Sequence, residues 1–240
     1  MSSDDVRSFD TLADLSVEVA QQIVTLAAEA MARRGRFTIA LAGGQTPRAL
    51  YQRLASPAIR DRINWARVHV FFGDERYVPH DDPRSNVRMA RETLLDHVPC
   101  PPAQIHPMPT STFSANADEA AMEYERTLRD FFGSGPLVFD LVLLGLGTDG
   151  HTASLFPHSP ALREETSQVV AVTANADPPV RLTLTLPPLI GALRIFVMAA
   201  GPDKQTALEH VLAPDADVDL YPAAALRAAD GRVTWWVARL

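Results

Sequence analysis

Two stretches of this sequence carry residues whose types and spacing suit acid–base and anion chemistry. One is Gly145-Leu146-Gly147-Thr148-Asp149-Gly150-His151, which runs on through Thr152-Ala153-Ser154-Leu155-Phe156-Pro157. Histidine is the side chain whose free pKa suits proton transfer near neutrality, and a carboxylate two residues away can fix its tautomer. We read His151 as a candidate general base and Asp149 as its orienter. The other six histidines (His69, His80, His97, His106, His158 and His210) read as packed, edge or loop residues. The second stretch is Phe72-Gly73-Asp74-Glu75-Arg76-Tyr77-Val78-Pro79, extending to Asp82, Ser85 and Asn86. Three adjacent charges directly after an apolar run make either a solvated loop with a local Asp–Arg pair or a functional loop. In the functional reading Arg76 is a fork-shaped anion clamp and Asp74 or Glu75 orients it. Ser85 has a simpler use as the N-cap of a following helix.

Three further positions suit an anionic ligand. Leu41-Ala42-Gly43-Gly44-Gln45-Thr46-Pro47 pairs two glycines with a helix start, so backbone N–H groups, the helix dipole and the Thr46 hydroxyl could cradle a phosphate. A plain tight turn is the alternative. The loop lacks the Gly-Lys-Ser/Thr ending of a Walker loop and the Gly-x-Gly-x-x-Gly of a dinucleotide loop. Arg181 opens Arg-Leu-Thr-Leu-Thr-Leu. Lys204 follows Gly201-Pro202-Asp203 and is the only lysine, against 21 arginines.

These loops need strands and helices to hold them. Helical spacing runs from Leu12 to Met31, through Leu15, Val19, Ile23, Leu26 and Ala30. Phe37–Leu41 is a short apolar strand, and Pro47 suits the first position of a helix reaching Leu54. Strands are expected at Val68–Phe72, Phe139–Leu144, Gln168–Thr173, Arg181–Leu186, Arg194–Ala199 and Val233–Ala238. Helices are expected at about Ser85–Asp96, Ala115–Phe132 and Pro202–Leu212. The proline-rich stretch around 99–113 is open as a lid or a stiff loop. Strands alternating with helices predict the α/β class: a mostly parallel sheet with helices on both faces, Rossmann-like and doubly wound, in a single domain over residues 1–240. Ligands in such folds bind beyond the carboxyl ends of the strands, where these loops fall.

Composition narrows the function. The 240 residues are 47% hydrophobic and 21% charged, which excludes a disordered or collagen-like chain. A net charge of −7 argues against a nucleic-acid partner. The single cysteine, Cys100, excludes an internal disulfide and a cysteine-based metal site. No apolar run reaches the roughly 20 residues of a membrane span, and the acidic N-terminus does not read as a signal peptide. A cytoplasmic protein is expected. Histidines without a second ligand at metal spacing imply no metal site, and no cofactor is expected.

Together the loops resemble the 6-phosphogluconolactonase family, from about Phe37 to Leu208. Leu-Ala-Gly-Gly-Gln-Thr-Pro is similar to the family's Ser-Gly-Gly-Ser-Thr-Pro loop, departing at Ala42 and Gln45. Gly-Asp-Glu-Arg, Gly-Leu-Gly-Thr-Asp-Gly-His-Thr-Ala-Ser-Leu-Phe-Pro, Arg-Leu-Thr-Leu-Thr and Gly-Pro-Asp-Lys resemble its remaining motifs. The resemblance implies a small-molecule sugar-phosphate lactone as substrate, hydrolysed by water with no covalent intermediate. His151 is then the base, Asp149 its orienter and Arg76 or loop N–H groups the oxyanion donors. Gly43, Gly44, Thr46, Asp74, Arg181 and Lys204 bind substrate, with the phosphate at Gly43, Gly44, Thr46, Arg181 and Lys204. Monomer and homodimer stay equally open. A sugar-phosphate isomerase or deaminase on the same fold is the competing enzyme class, with a carboxylate such as Asp74 as base. It is weakened by the absence of the Ile-Ala-Phe-Asn-Glu-Pro expected after Gly-His. A sugar-phosphate sensor is the non-enzymatic competitor, and 240 residues leave it no room for a fused DNA-binding segment.

Overall fold

A computed structural model of the chain describes residues 5–110 and 116–239. Two sheets organise it. The larger has six strands: β1 (Asp5–Phe9), β2 (Phe37–Leu41), β3 (Val68–Phe72), β5 (Leu141–Gly145), β8 (Ile195–Ala200) and β9 (Val233–Ala238). They are all parallel, in the order β1-β9-β8-β5-β2-β3. β2 is buried at every position, and successive side chains of a strand point to opposite faces, so the sheet is covered on both sides. The smaller sheet is antiparallel, in the order β4 (Asp74–Arg76), β7 (Val180–Leu184) and β6 (Val169–Thr173). Residues of both sheets belong to one hydrophobic core.

Seven helices complete the described structure: α1 (Leu12–Arg34), α2 (Gln45–Ala55), α3 (Pro57–Arg60), α4 (Asn86–Thr93), α5 (Ala117–Phe132), α6 (Leu186–Ile190) and α7 (Gln205–Leu212). α1 buries Leu15, Val19 and Ile23, the stripe its spacing predicts, and Thr11 caps it by accepting from the Asp14 amide at 3.1 Å. Ser85 caps α4, accepting from the Arg88 amide.

Several expected boundaries shift. Two expected strands, at 168–173 and 181–186, form the separate antiparallel sheet instead of extending the parallel one. Pro47 is the third residue of α2, not the first, because Gly44 at φ 103° turns the chain two residues earlier. The helix expected over Pro202–Leu212 begins as a 3-10 turn, Pro202–Lys204, and continues as α7. The helix expected over Ser85–Asp96 ends at Thr93, followed by a 3-10 turn at Leu95–His97. Ala115, the expected start of α5, and positions 111–113 of the 99–113 stretch lie outside the described residues.

β3 lies on one side of β2 and β5 on the other. Strand order therefore reverses between β2 and β5. That switch point opens a crevice at the carboxyl ends, and the loops after β2 and β5 frame it.

Candidate active site

A cavity of about 420 Å³ occupies that crevice. Its walls bring together every candidate residue except Asp149: Gly43, Gly44 and Thr46, then Asp74 and Arg76, then His151, Arg181 and Lys204. Asp149 reaches it through His151. Five separate segments thus meet at one place.

The His151 loop is built around close approach. Gly147 N–H donates to the His151 carbonyl at 2.8 Å, folding the loop back on itself. A Cβ at Gly147 would lie 2.1 Å from His151 Nδ1 and 2.6 Å from Asp149 Oδ1, so only glycine fits there. Asp149 Oδ1 lies 2.5 Å from His151 Nδ1 and also takes the His151 backbone N–H at 3.1 Å. Burial acts to raise the Asp149 pKa, but its bonds to His151 outweigh this and hold it below the usual carboxylate value. An ionised Asp149 accepts from Nδ1–H, which leaves the lone pair on Nε2. The ring packs on Phe156 at 4.6 Å between centroids.

The opposite wall is cationic. β4 and β7 pair Arg76 directly with Arg181, and Asp74 with Thr183. Two arginines facing each other across strands repel, an arrangement that an anion between them would relieve. Burial, with the charge of Arg76 second, pulls the Arg181 pKa down. Pro178 O takes Arg181 Nε at 2.8 Å, and Arg84 O takes one terminal Arg76 nitrogen at 2.5 Å. Arg76 Nε is buried with no partner. Lys204 closes this side, 3.4 Å from Asp203.

Glu75 does not orient the Arg76 guanidinium. Alternation along β4 sends Asp74 and Arg76 to the cavity and Glu75 the other way. Fully buried, Glu75 accepts the backbone N–H groups of Arg76, Asn86 and Val87 and the Ser85 hydroxyl, all at 2.7–2.9 Å. It fastens β4 to the start of α4. Asp74 also has internal donors on both oxygens: Ser154 Oγ at 2.7 Å and Asn86 Nδ2 at 3.2 Å. The charged stretch at 74–76 is therefore a braced strand, not a solvated loop.

The glycine loop supplies neutral donors. With Gly44 as N-cap and no side-chain cap, the N–H groups of Gln45 and Thr46 have no helical partner in the first turn of α2, which lines the cavity. Tyr51 holds the loop from behind: its hydroxyl accepts from Ala42 N–H at 2.9 Å and donates to Ala42 O at 2.8 Å. Tyr51 lies outside the motif stretches, and Asn86, Ser154 and Thr183 lie within them without an expected role as supports of the site. Each is a buried polar residue whose partner is distant in sequence or on another element. Among the described residues no three His, Cys, Asp or Glu side chains converge as a metal site would need, and no helix is long and apolar enough to cross a membrane.

Comparison with known proteins identifies the family. The family model "Glucosamine-6-phosphate isomerases/6-phosphogluconolactonase" matches residues 10–235. A 6-phosphogluconolactonase of Synechocystis sp. is 46% identical over 217 residues, covering 89% of this chain and 86% of that protein. One from Mycobacterium tuberculosis is 42% identical over 209 residues, covering 85% and 83%. The solved 6-phosphogluconolactonase of Trypanosoma brucei superposes with a TM-score of 0.85 at 31% identity, covering 99% of this chain and 97% of that one. The family match spans every loop of the cleft, and so the chain belongs to the glucosamine-6-phosphate isomerase/6-phosphogluconolactonase family.

Proposed function

We propose that this protein hydrolyses 6-phospho-D-glucono-1,5-lactone to 6-phospho-D-gluconate, the lactonase step of the oxidative pentose phosphate pathway, in the cytoplasm. The observation that carries the reading is the Asp149–His151 dyad opening on a cavity whose other wall is Arg76, Arg181 and Lys204. The relatives named 6-phosphogluconolactonase support it.

The phosphate binds among the first-turn N–H groups of α2, Thr46, Arg181 and Lys204. That anchors one end of the substrate and brings the lactone carbonyl to His151, a proximity contribution. His151 Nε2 removes a proton from water as the oxygen attacks the carbonyl carbon. A base so placed contributes about 10²- to 10⁴-fold. The carbonyl π electrons move to oxygen, and Arg76, with its unpartnered Nε, stabilises that oxyanion. Collapse breaks the bond from the carbonyl carbon to the ring oxygen, which takes the proton back from His151. No side chain bonds covalently to the substrate.

An isomerase or deaminase reading needs a free carboxylate to shuttle protons between carbons. Asp74 lines the cavity, but protein donors occupy both its oxygens. The deciding experiment supplies the lactone, made in place from glucose 6-phosphate, and separately glucosamine 6-phosphate. Lactone consumption well above spontaneous hydrolysis, with no turnover of the amino sugar, is expected. The reverse pattern would overturn the proposal.

A further inference from the structure

Ser154 lies three residues past His151, is fully buried and does not line the cavity. Its Oγ donates to Asp74 Oδ2 at 2.7 Å, and its backbone N–H donates to Thr183 Oγ1 at 3.2 Å. Asp74 and Thr183 are direct cross-strand partners, and the next pair along the same face is Arg76 with Arg181. The His151 loop is therefore fastened, by one side chain and one amide, to the pair beside the two arginines. Between His151 and this fastening sits Ala153, at φ 48°. An L-residue keeps that left-handed conformation only when its flanks are fixed. Thr152 Oγ1, donating to Gly145 O at 2.9 Å, fixes one flank, and Ser154 fixes the other.

We propose that Ser154 is a positioning residue: its bonds to Asp74 and Thr183 set the span between the His151 imidazole and the Arg76–Arg181 pair. The kinetic part of this inference rests on the lactonase reading above. The Ser154 hydroxyl bonds Asp74 on β4, whereas the phosphate-binding groups lie on α2, on β7 and at Lys204, so losing the hydroxyl loosens the base without removing a bond to an anchoring element. A displacement of about 1 Å at a reacting group costs on the order of 10²-fold in rate.

The test compares the full-length chain with Ser154→Ala, Ser154→Cys and Thr183→Val. Four quantities are read: kcat, KM, calorimetric Kd for 6-phosphogluconate, and amide exchange of residues 145–156. Ser154→Ala should lower kcat by about tenfold or more, with Kd within about twofold, and should speed exchange in that segment. Ser154→Cys, with its weaker donor, should fall between. Thr183→Val should give a smaller loss of the same kind, and it decides the matter if Ser154→Ala does not fold. An unchanged kcat with only a lower melting temperature would overturn the inference, as would a rise in KM and Kd at constant kcat. Wild-type protein without lactone turnover would sink the lactonase reading instead. Exchange would then decide for Ser154, unchanged protection in Ser154→Ala ruling its role out.

Discussion

Asp149 Oδ1 accepts twice from one residue, taking His151 Nδ1–H at 2.5 Å and the His151 backbone N–H at 3.1 Å. The double bond fixes both the ring's rotation and its tautomer. Asp149→Asn replaces a permanent acceptor with an amide that can turn its NH₂ toward Nδ1 and invert the tautomer. We expect kcat to fall by about 10²- to 10⁴-fold. Binding of 6-phosphogluconate, measured by calorimetry, should change little. Because Asp149 titrates below the usual carboxylate value, the dyad should hold its geometry well into acid, and Asp149 itself should not set the acid limb of activity.

Gly147→Ala is a steric probe of the same dyad. The added methyl would sit 2.1 Å from His151 Nδ1, so the imidazole has to move. The expected result is loss of turnover of about 10²-fold with a far-UV spectrum like wild type. Full turnover would mean that the ring's observed position is not the working one.

Lys204→Ala removes one cation from the phosphate end and nothing from the dyad. KM should rise by about tenfold or more while kcat is retained, and Lys204→Arg should recover part of the loss. A fall in kcat at constant KM would take Lys204 out of the anchoring role.

Tyr51→Phe tests the support behind the glycine loop. The change strands Ala42 N–H and Ala42 O in a buried place, at about 1–3 kcal/mol. For a chain of this size each kcal/mol lowers the melting temperature by about 2–4 °C. Thermal melts should show that drop, with a modest rise in KM as the loop loosens.

His69 and His106 predict a pH dependence of stability away from the site. Their rings stack 5.7 Å apart, beside Phe71 and Phe131. Burial first, then the His69 charge, pulls the His106 pKa down to about 4, and burial with Arg36 lowers that of His69. Both fold as neutral imidazoles. Their contribution is complete above the unfolded pKa of about 6.5 and is lost as pH falls from there through about 4. Melting temperature should decline across that window, and His106→Phe should flatten the decline.

Much of this was legible beforehand, for a physical reason. The buried strands β2, β3, β5, β8 and β9 are apolar, and α1 carries its stripe at helical spacing, so local sequence and tertiary role agree. The His151, Gly43–Gly44, Arg76, Arg181 and Lys204 positions could be singled out because their glycine clusters and charges sit directly against apolar runs. β1 was not legible: Asp5–Phe9 is a polar, mostly exposed edge strand defined only by its pairing with β9. Nor was β4, three charged residues that become a strand because Glu75 meets the start of α4 and Arg76 meets Arg181. The braces escaped for a related reason. Tyr51, Ser154 and Thr183 act through partners that only the folded chain brings near.

The most direct test of the central claim is His151→Ala, followed in two measurements on one preparation: lactone hydrolysis above the spontaneous rate, and binding of 6-phosphogluconate. The account predicts that hydrolysis disappears almost entirely while binding persists near the wild-type level. Hydrolysis close to wild type in that variant would contradict it and remove His151 from the role of base.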